Sequence, residues 1–402
     1  MSRQLVFKLL FWIPALLLLE EALRYAWRDG DFIGYVAAGE YAVHHKDLYS
    51  HWLNTWPPLF SIFCIPVYYL DGLSPILARV LWQLATLWAF YHSAKRILFL
   101  LFNKDLAFSG SSESSIHPWQ PLFLLPFLLT LKYLLDNLAN VQINVLMLAL
   151  CIEAVYQWRT KKKTALAAFL IALTLSLKVY TVFFFVWFIL IRQWKMVLLT
   201  LGFTALLNIP CFLVYGYDQA LLYYHHWWTE IAQAFPMILH KNQSFFAAVW
   251  RLTVPEDGGL GIRTHLFYLS MDEAKNIVYL IVFLIGAYPA WLIWKRSAKE
   301  KKPLTGLTLF LALIPLLSPL AWKAYFIFLS PALFQLSYLF LNEQLNKGEN
   351  AVFWTSCAFL ILSSDIFIGP YFSDVAELFS LITLGAIGIV SLLIVRLHRQ
   401  YI

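Results

Sequence analysis

Long apolar stretches occupy most of this chain of 402 residues, and they constrain its fold more than any other feature. A helix that crosses a lipid bilayer needs roughly 20 predominantly apolar residues. Twelve stretches approach or reach that length, so we predict an all-α polytopic membrane protein with one integral domain over residues 1–402. The stretches are 5–24, 76–101, 119–136, 141–158, 164–177, 181–193, 196–215, 277–294, 304–317, 325–342, 351–368 and 376–396.

The composition excludes the main alternatives to a membrane protein. Hydrophobic residues make up 61% of the chain and charged residues only 13%, whereas an average soluble domain is about 25% charged. So few charges cannot cover a water-exposed surface of this size, and a disordered chain would be far more polar. The four cysteines lie in apolar segments without metal-binding spacing, so we expect them to be buried core residues.

The distribution of basic residues predicts the orientation in the membrane. Lysine and arginine are retained on the cytoplasmic side, and they concentrate at 159–163 and 295–302. Counting outward from these two loops places both termini in the cytoplasm of a multi-pass protein of the inner or plasma membrane. The net charge of +7 then reflects this bias, and no nucleic-acid partner is expected.

Two long loops are expected on the outer face. They span residues 25–56 and 216–275, and both are rich in tyrosine, tryptophan and histidine. The segment that follows the first loop, 57–70, is apolar but too short to cross the bilayer, so we predict a half-buried helix there. Long loops commonly carry function, which places any chemistry on the outer face.

Asp31 is the candidate general base in the first outer loop. It follows the first apolar stretch, where partial desolvation would raise the pKa of a carboxylate and make it a better base. A helix cap or a solvated loop acid is the alternative. Asp29 and Asp31 also resemble a short metal-binding Asp-x-Asp pair, although three residues alone are weak evidence.

Three cations lie where an outer loop meets the membrane. Lys178 ends a hydrophobic stretch, Lys323 follows the segment 318–322, and Arg251 lies in the second outer loop. Cations at this depth suit a lipid-borne phosphate, although snorkelling to lipid head groups is an alternative for each lysine. The doublets His44-His45 and His225-His226 are more typical of interfacial histidines than of metal ligands, because adjacent helical side chains point about 100° apart.

Seven short segments together form a pattern. In chain order they are Asp31-Phe32-Ile33-Gly34-Tyr35, Lys46-Asp47-Leu48-Tyr49, Trp56-Pro57-Pro58-Leu59, Val141-Gln142-Ile143-Asn144, Leu177-Lys178, Asn242-Gln243-Ser244 with Arg251-Leu252, and Ser318-Pro319 with Trp322. Their order and spacing resemble the membrane-bound GT-C glycosyltransferases, specifically the family 87 branch of polyprenyl-phosphate-mannose-dependent mannosyltransferases. The chain departs from that pattern at Val141, which replaces a glycine, and at Lys323, where the family often has histidine.

The resemblance implies a GT-C bundle of about 12 transmembrane helices with amphipathic juxtamembrane helices in the first outer loop. It also implies a catalytic Asp in that loop, which corresponds to Asp31. From their positions at the outer surface, we expect Lys178, Lys323 and Arg251 to bind the donor phosphate. Further substrate contacts are expected from Tyr35, Gln142, Asn242, Gln243 and Trp322. Neither a metal nor a cofactor is expected, since a monophosphate leaving group needs only such cations.

The function expected from the resemblance is that of an inverting hexosyltransferase. A polyprenyl-phosphate sugar would be the donor, with mannose as the first candidate, and the acceptor would be a hydroxyl of a lipid or glycan. The alternative is a transporter or flippase of a lipid-linked or small polar substrate. That class would need polar groups near the bilayer midplane and paired broken helices, whereas the polar groups here cluster at the outer ends.

Overall fold

The computed structural model describes residues 2–51, 54–109, 114–231, 238–297, 304 and 306–399, which are mostly helical. The strands β1 (Asp105–Leu106) and β2 (Ser115–Ile116) form one short parallel pair. The helices are α1 (Arg3–Tyr25), α2 (Phe32–Val43), α3 (Pro58–Phe63), α4 (Ile65–Leu73), α5 (Pro75–Phe102), α6 (Pro121–Ala139), α7 (Asn144–Arg159), α8 (Thr164–Leu177), α9 (Val182–Leu190), α10 (Trp194–Tyr215), α11 (Tyr217–His226), α12 (Phe245–Thr253), α13 (Met271–Ser297), α14 (Leu307–Leu317), α15 (Ser330–Leu341), α16 (Lys347–Leu362), α17 (Asp365–Leu378) and α18 (Leu381–Arg399). Shorter helical turns lie at Leu48–Ser50, Val179–Thr181, Trp227–Ile231 and Lys323–Leu329.

The described part of the chain contains five helices that are long and apolar enough to cross a membrane. They are α6, α10, α13, α18 and the continuous segment Lys323–Leu341, and the bent pair of α16 and α17 would be a sixth. An all-α membrane architecture is therefore confirmed, but the predicted count of about 12 crossings is not. Several predicted crossings correspond to shorter apolar helices, such as α8 with 14 residues and α14 with 11.

One compact unit is formed by Met1–Phe102, Leu134–Phe185 and Trp194–Ala234. Within it α8 packs between α7 and α10, and α5 packs against α7 and α1. The short helices α2, α3 and α4 pack on one another before α5 begins, so the first outer loop and the segment 57–70 form a cluster of short helices. This cluster contains Asp31 at the start of α2.

A second compact unit contains Asn103–Tyr133, Val186–Gln193 and Phe235–Ile402. Within it α18 packs against α14 and α16, and α12 packs against α13. The predicted outer loop 216–275 contains α11 in the first unit and α12 in the second. Residues 232–237 of that loop and 298–302 of the predicted basic loop lie outside the described residues.

Gly39 tests the packing of the cluster of short helices. A Cβ atom at Gly39, in α2, would lie 2.3 Å from the carbonyl oxygen of Cys64. We expect Gly39→Ala to destabilise the protein by about 1–3 kcal/mol, because the backbone of α3 and α4 must move to accommodate the methyl group. Thermal unfolding of the purified protein in detergent measures the change.

Gly72 in α4 provides the matched control, since nothing lies within 4 Å of an added Cβ atom there. Gly72→Ala should leave the unfolding temperature unchanged or raise it, because alanine favours helix by about 0.5–1 kcal/mol over glycine. Equal effects of the two substitutions would contradict the close approach of α2 to Cys64.

Candidate active site

The loop between α1 and α2 holds Asp31 against a distant part of the chain. Gly30 has a φ of +50°, and an added Cβ atom would lie 2.7 Å from the carbonyl oxygen of Asn140. The backbone N–H of Asp31 donates to that same oxygen at 2.9 Å. Glycine is therefore required before Asp31, both for the left-handed backbone conformation and for the close contact. The contact fixes the start of α2 beside the connection between α6 and α7.

The carboxylate of Asp31 accepts a hydrogen bond from the side-chain amide of Gln142. The amide of Asn144 donates to Oε1 of Gln142 at 3.0 Å, and the hydroxyl of Tyr180 donates to Oδ1 of Asn144 at 2.7 Å. Gln142, Asn144 and Tyr180 are all buried. A chain of hydrogen bonds thus runs from the segment after α8 to Asp31 and fixes the orientation of the carboxylate.

Lys178 lies beside this chain of hydrogen bonds. It follows the last residue of α8, is 6% exposed, and its Nζ lies 5.5 Å from the centre of the Tyr180 ring. The ammonium group and the carboxylate of Asp31 interact electrostatically. The structure therefore brings together three residues that the sequence analysis selected as site residues: Asp31, Gln142 and Lys178.

Burial shifts the pKa values of both charged groups, which lie between helices rather than within them. It raises the pKa of Asp31, while the charge of Lys178 and the hydrogen bond from Gln142 oppose the change. It lowers the pKa of Lys178 to about 8, while the charge of Asp31 opposes that change. The two shifts bring the pKa values of the carboxylate and of the ammonium group closer together.

The remaining acids of the first outer loop have other partners. Asp29 pairs with Arg79, with 2.8 Å between Oδ1 and Nη2, so Asp29 and Asp31 bind different groups. Glu40 pairs with Lys46 at 2.5 Å, and Asp47 accepts the backbone N–H of Tyr49. Among these acids, Asp31 is the one whose carboxylate meets a buried amide and a buried lysine.

Tyr35 is fully buried in an aromatic cluster of the first unit. The centre of its ring lies 5.1 Å from that of Trp56, 5.4 Å from that of Phe60 and 5.2 Å from that of Trp82. These contacts tie α2 to α3 and α5. The structure thus places Tyr35 in the core that supports Asp31, on the same helix, rather than on an accessible surface.

The Asn-Gln-Ser segment lies in the second unit and joins two loops. Oδ1 of Asn242 accepts the backbone N–H of Ala321 at 3.0 Å, and its amide donates to the carbonyl oxygen of Pro319 at 3.2 Å. The backbone carbonyl oxygen of Gln243 accepts a hydrogen bond from the hydroxyl of Thr383 at 2.8 Å. Asn242 and Gln243 are fully buried, so they hold the segment 318–322, which includes half-buried Trp322, against the rest of the unit.

Arg251 is 1% exposed and binds protein groups on several sides. Its Nη1 donates to the carbonyl oxygens of Leu239 at 2.9 Å and Asn242 at 2.8 Å, and its Nη2 donates to the hydroxyl of Ser380 at 2.7 Å. An arginine whose donors meet carbonyl oxygens fixes a loop conformation. Arg251 therefore supports the loop that carries Asn242.

Lys323 belongs to a charged cluster that the sequence analysis did not identify. Its Nζ lies 2.8 Å from Oε1 of Glu377, which is fully buried near the end of α17. Lys241 pairs with Asp374 and lies 3.4 Å from Oε2 of Glu377. Glu377 thus bridges two lysines from different loops. The available signal was the position of two acids three residues apart, on one face of a helix.

The charged cluster contains one possible set of metal ligands within the described residues. Ligand atoms of His240, Asp374 and Glu377 all lie within 4.8 Å of one another. The two carboxylates already meet the ammonium groups of Lys241 and Lys323. The arrangement therefore neutralises its acids with lysines, and a divalent cation would have to displace at least one of them.

The predicted site residues thus fall into two groups that belong to separate compact units. Asp31, Tyr35, Gln142 and Lys178 lie in the first unit. The other five, which lie in the second unit, are Asn242, Gln243, Arg251, Trp322 and Lys323. Each group is held by hydrogen bonds or ion pairs within its own unit.

Comparison with known proteins identifies one family. The sequence profile of glycosyltransferase family 87 matches residues 54–319, which is well over half of the chain. The matched range includes Gln142, Lys178 and the Asn-Gln-Ser segment, whereas Asp31 and Lys323 lie outside it. No curated protein and no solved structure matches the chain.

The bridging role of Glu377 can be tested through stability. Glu377→Gln would leave Lys241 and Lys323 close together without the carboxylate that neutralises them. We expect a loss of roughly 3–5 kcal/mol in the free energy of unfolding, as for other buried pairs that lose one partner. Thermal or denaturant unfolding in detergent measures it.

Glu256→Gln is the matched control, because Glu256 is an exposed acid of the same unit. Its substitution should change the free energy of unfolding by less than about 0.5 kcal/mol. A Glu377→Gln variant as stable as the control would show that the carboxylate does not stabilise the two lysines.

Proposed function

The chain belongs to glycosyltransferase family 87, and on that premise we propose that it transfers a sugar from a polyprenyl-phosphate donor to an acceptor hydroxyl. Mannose is the first candidate sugar, and a lipid or glycan is the acceptor. The observation that carries the proposal is the buried arrangement of Asp31, Gln142 and Lys178. It combines a carboxylate of raised pKa, a fixed orientation for that carboxylate, and a cation of lowered pKa.

Asp31 is the general base in this proposal. As the acceptor oxygen attacks the anomeric carbon, Asp31 takes the hydroxyl proton, and the bond from that carbon to the phosphate oxygen breaks. The displaced group leaves as polyprenyl phosphate, and the configuration at the anomeric carbon inverts. The hydrogen bond from Gln142 orients the carboxylate for this transfer, so Gln142 is a positioning residue.

Lys178 is the cation that stabilises the departing phosphate in the first unit. A cation in a dry site stabilises developing negative charge far more strongly than one in water. Lys323 is the proposed phosphate contact of the second unit, where Glu377 holds it. Arg251, Asn242 and Gln243 contribute by fixing the loops around Lys323, and no metal is needed for a monophosphate leaving group.

The proposed reaction takes place on the outer face of the inner or plasma membrane, with both termini in the cytoplasm. The support is the clustering of basic residues in 159–163 and around the C-terminus, where Arg396 and Arg399 both bind Glu349. Lys178 follows the C-terminal end of α8, whose N-terminal end comes just after residues 159–163, and Asp31 follows the C-terminal end of α1. Membership of the family favours the transferase over a transporter or flippase.

The donor class is tested by a panel of labelled sugars. Purified protein is incubated with polyprenyl-phosphate sugars, and separately with nucleotide sugars, in the presence of a membrane lipid extract as acceptor and of EDTA. We expect label to reach the acceptor only from a polyprenyl-phosphate sugar. Transfer from a nucleotide sugar alone, or a complete loss of transfer in EDTA, would contradict the proposed donor or the metal-free mechanism.

The role of Asp31 is tested by Asp31→Asn, which preserves the shape of the side chain but removes its basicity. Turnover should fall by about 10²–10⁴-fold, the usual loss for a general base, while donor affinity stays near that of the wild type. Initial rates over a range of donor concentrations separate the two quantities, and thermal melts verify folding.

Asp29→Asn is the matched control. Asp29 lies two residues before Asp31, and its carboxylate pairs with Arg79. This variant should retain most of its turnover. A folded Asp31→Asn enzyme with near wild-type turnover would rule Asp31 out as the base and direct attention to Glu40 or Asp47.

The lowered pKa of Lys178 predicts a loss of activity at alkaline pH. A cation that must be protonated is lost as the pH rises through its pKa, so the rate should fall above about pH 8. The raised pKa of Asp31 has the opposite effect, because a base must be ionised and the rate falls as the pH drops. The dependence of turnover on pH between 5 and 10 is the measurement.

Lys178→Arg should remove the alkaline decline from the normalised pH profile, because arginine stays charged throughout this range. Lys46→Arg, at a lysine paired with Glu40 in the same unit, should leave the profile unchanged. An identical alkaline decline in wild type and Lys178→Arg would show that another group controls it.

A further inference from the structure

Helix α17 connects two helices that pack side by side. It follows α16 after a bend of 87° and precedes α18, which is itself apolar and long enough to cross a membrane. The 14 residues of α17 are interrupted at Gly369, whose φ is +76°. Each of its two parts is therefore too short to cross a bilayer, which needs roughly 20 helical residues.

The exposed side of α17 is apolar. Ile366 is 79% exposed and Phe367 59%, and both Tyr371 and Phe372 are 63% exposed. In water such a surface would be unfavourable, and its residue types are those of a membrane interface. The exposed apolar residues come just after the bend, at the level where α16 ends.

The opposite side of α17 is polar and occupied. Asp374 and Glu377 are three residues apart on one face and bind Lys241 and Lys323. The hydroxyl of Ser373, on the same side, donates to the carbonyl oxygen of Ser363 at 2.9 Å. The helix is thus amphipathic, with its charges turned into the protein and its aromatic residues turned away from it.

We infer that α17 lies in the membrane–water interface, with its apolar face inserted among the lipid chains of one leaflet. Helix α18 is long and apolar enough to cross the membrane and α16 packs along it, so a helix at 87° to α16 lies close to the bilayer plane. At the membrane surface, lipid chains are the environment in which the apolar face of α17 is stable. This placement of α17 follows from its packing with α16 and α18 and from its exposed apolar side chains, and it is independent of the proposed function.

The position of α17 also sets the depth of the charged cluster. Since α17 binds Lys241 and Lys323 on its inner face, it holds both lysines at the depth of the lipid head groups. Phosphate groups of membrane lipids lie at that depth. Helix α17 would thereby set the height at which the second unit can meet a lipid-borne phosphate.

Site-directed spin labelling in liposomes of phosphatidylcholine and phosphatidylglycerol tests the inference. Nitroxide labels at Ile366→Cys and Phe372→Cys are compared for their accessibility to oxygen, which partitions into lipid, and to a water-soluble nickel chelate. Leu206→Cys, an exposed position within α10, is the lipid-facing control, and Glu256→Cys is the aqueous control. The four native cysteines are buried, and labelled wild type measures their background.

We expect both test positions to favour oxygen over the nickel chelate, at a depth between those of the two controls. Accessibility equal to that of the aqueous control would overturn the inference. Protection from both reagents would overturn it as well, because it would mean that protein rather than lipid covers this face. Two independent positions are used so that a local perturbation at one of them cannot decide the result.

Discussion

The hydrogen bond between Gln142 and Asp31 is the interaction on which the arrangement of the first unit depends. It joins the loop after α1 to the start of α7, which are separated by 111 positions in the sequence. Gly30 makes that approach possible, and the buried Tyr35 of α2 packs in the core beneath Asp31. Removing a carboxylate from water is unfavourable unless it is hydrogen-bonded and paired, and for half-buried Asp31 an amide and a lysine provide both.

The second unit contains a buried acid, whose charge is compensated by two lysines. Glu377 is completely buried, and Lys241 and Lys323 bring it the compensating charge from two loops. The Asn-Gln-Ser segment and Arg251 then fix those loops through hydrogen bonds to backbone carbonyl and N–H groups. Side chains that the family resemblance associates with substrate thus act, in this structure, as the connections that hold the surrounding loops in place.

The sequence predicted some of these features because their signals are local or follow a known order. The apolar composition indicates a helical membrane protein, and the order of the short motifs selects Asp31, Gln142 and Lys178, which the structure brings together. The spacing of Asp374 and Glu377 indicates two acids on one helix face, but only the fold shows that Glu377 meets two lysines from other loops. The count of about 12 crossings is not confirmed, because an apolar stretch in a sequence does not reveal whether its helix is interrupted.

The hydrogen bonds that end at Asp31 have a direction. Tyr180 donates to the oxygen of Asn144, so the nitrogen of Asn144 faces Gln142, and the nitrogen of Gln142 in turn faces Asp31. An ionised carboxylate can only accept, whereas a phenol can donate or accept, so Asp31 sets the direction of both amides and Tyr180 completes the chain as a donor. The donor from Gln142 in turn favours the ionised form of Asp31. The protonation state of Asp31 is in this way linked to a single hydroxyl group three side chains away.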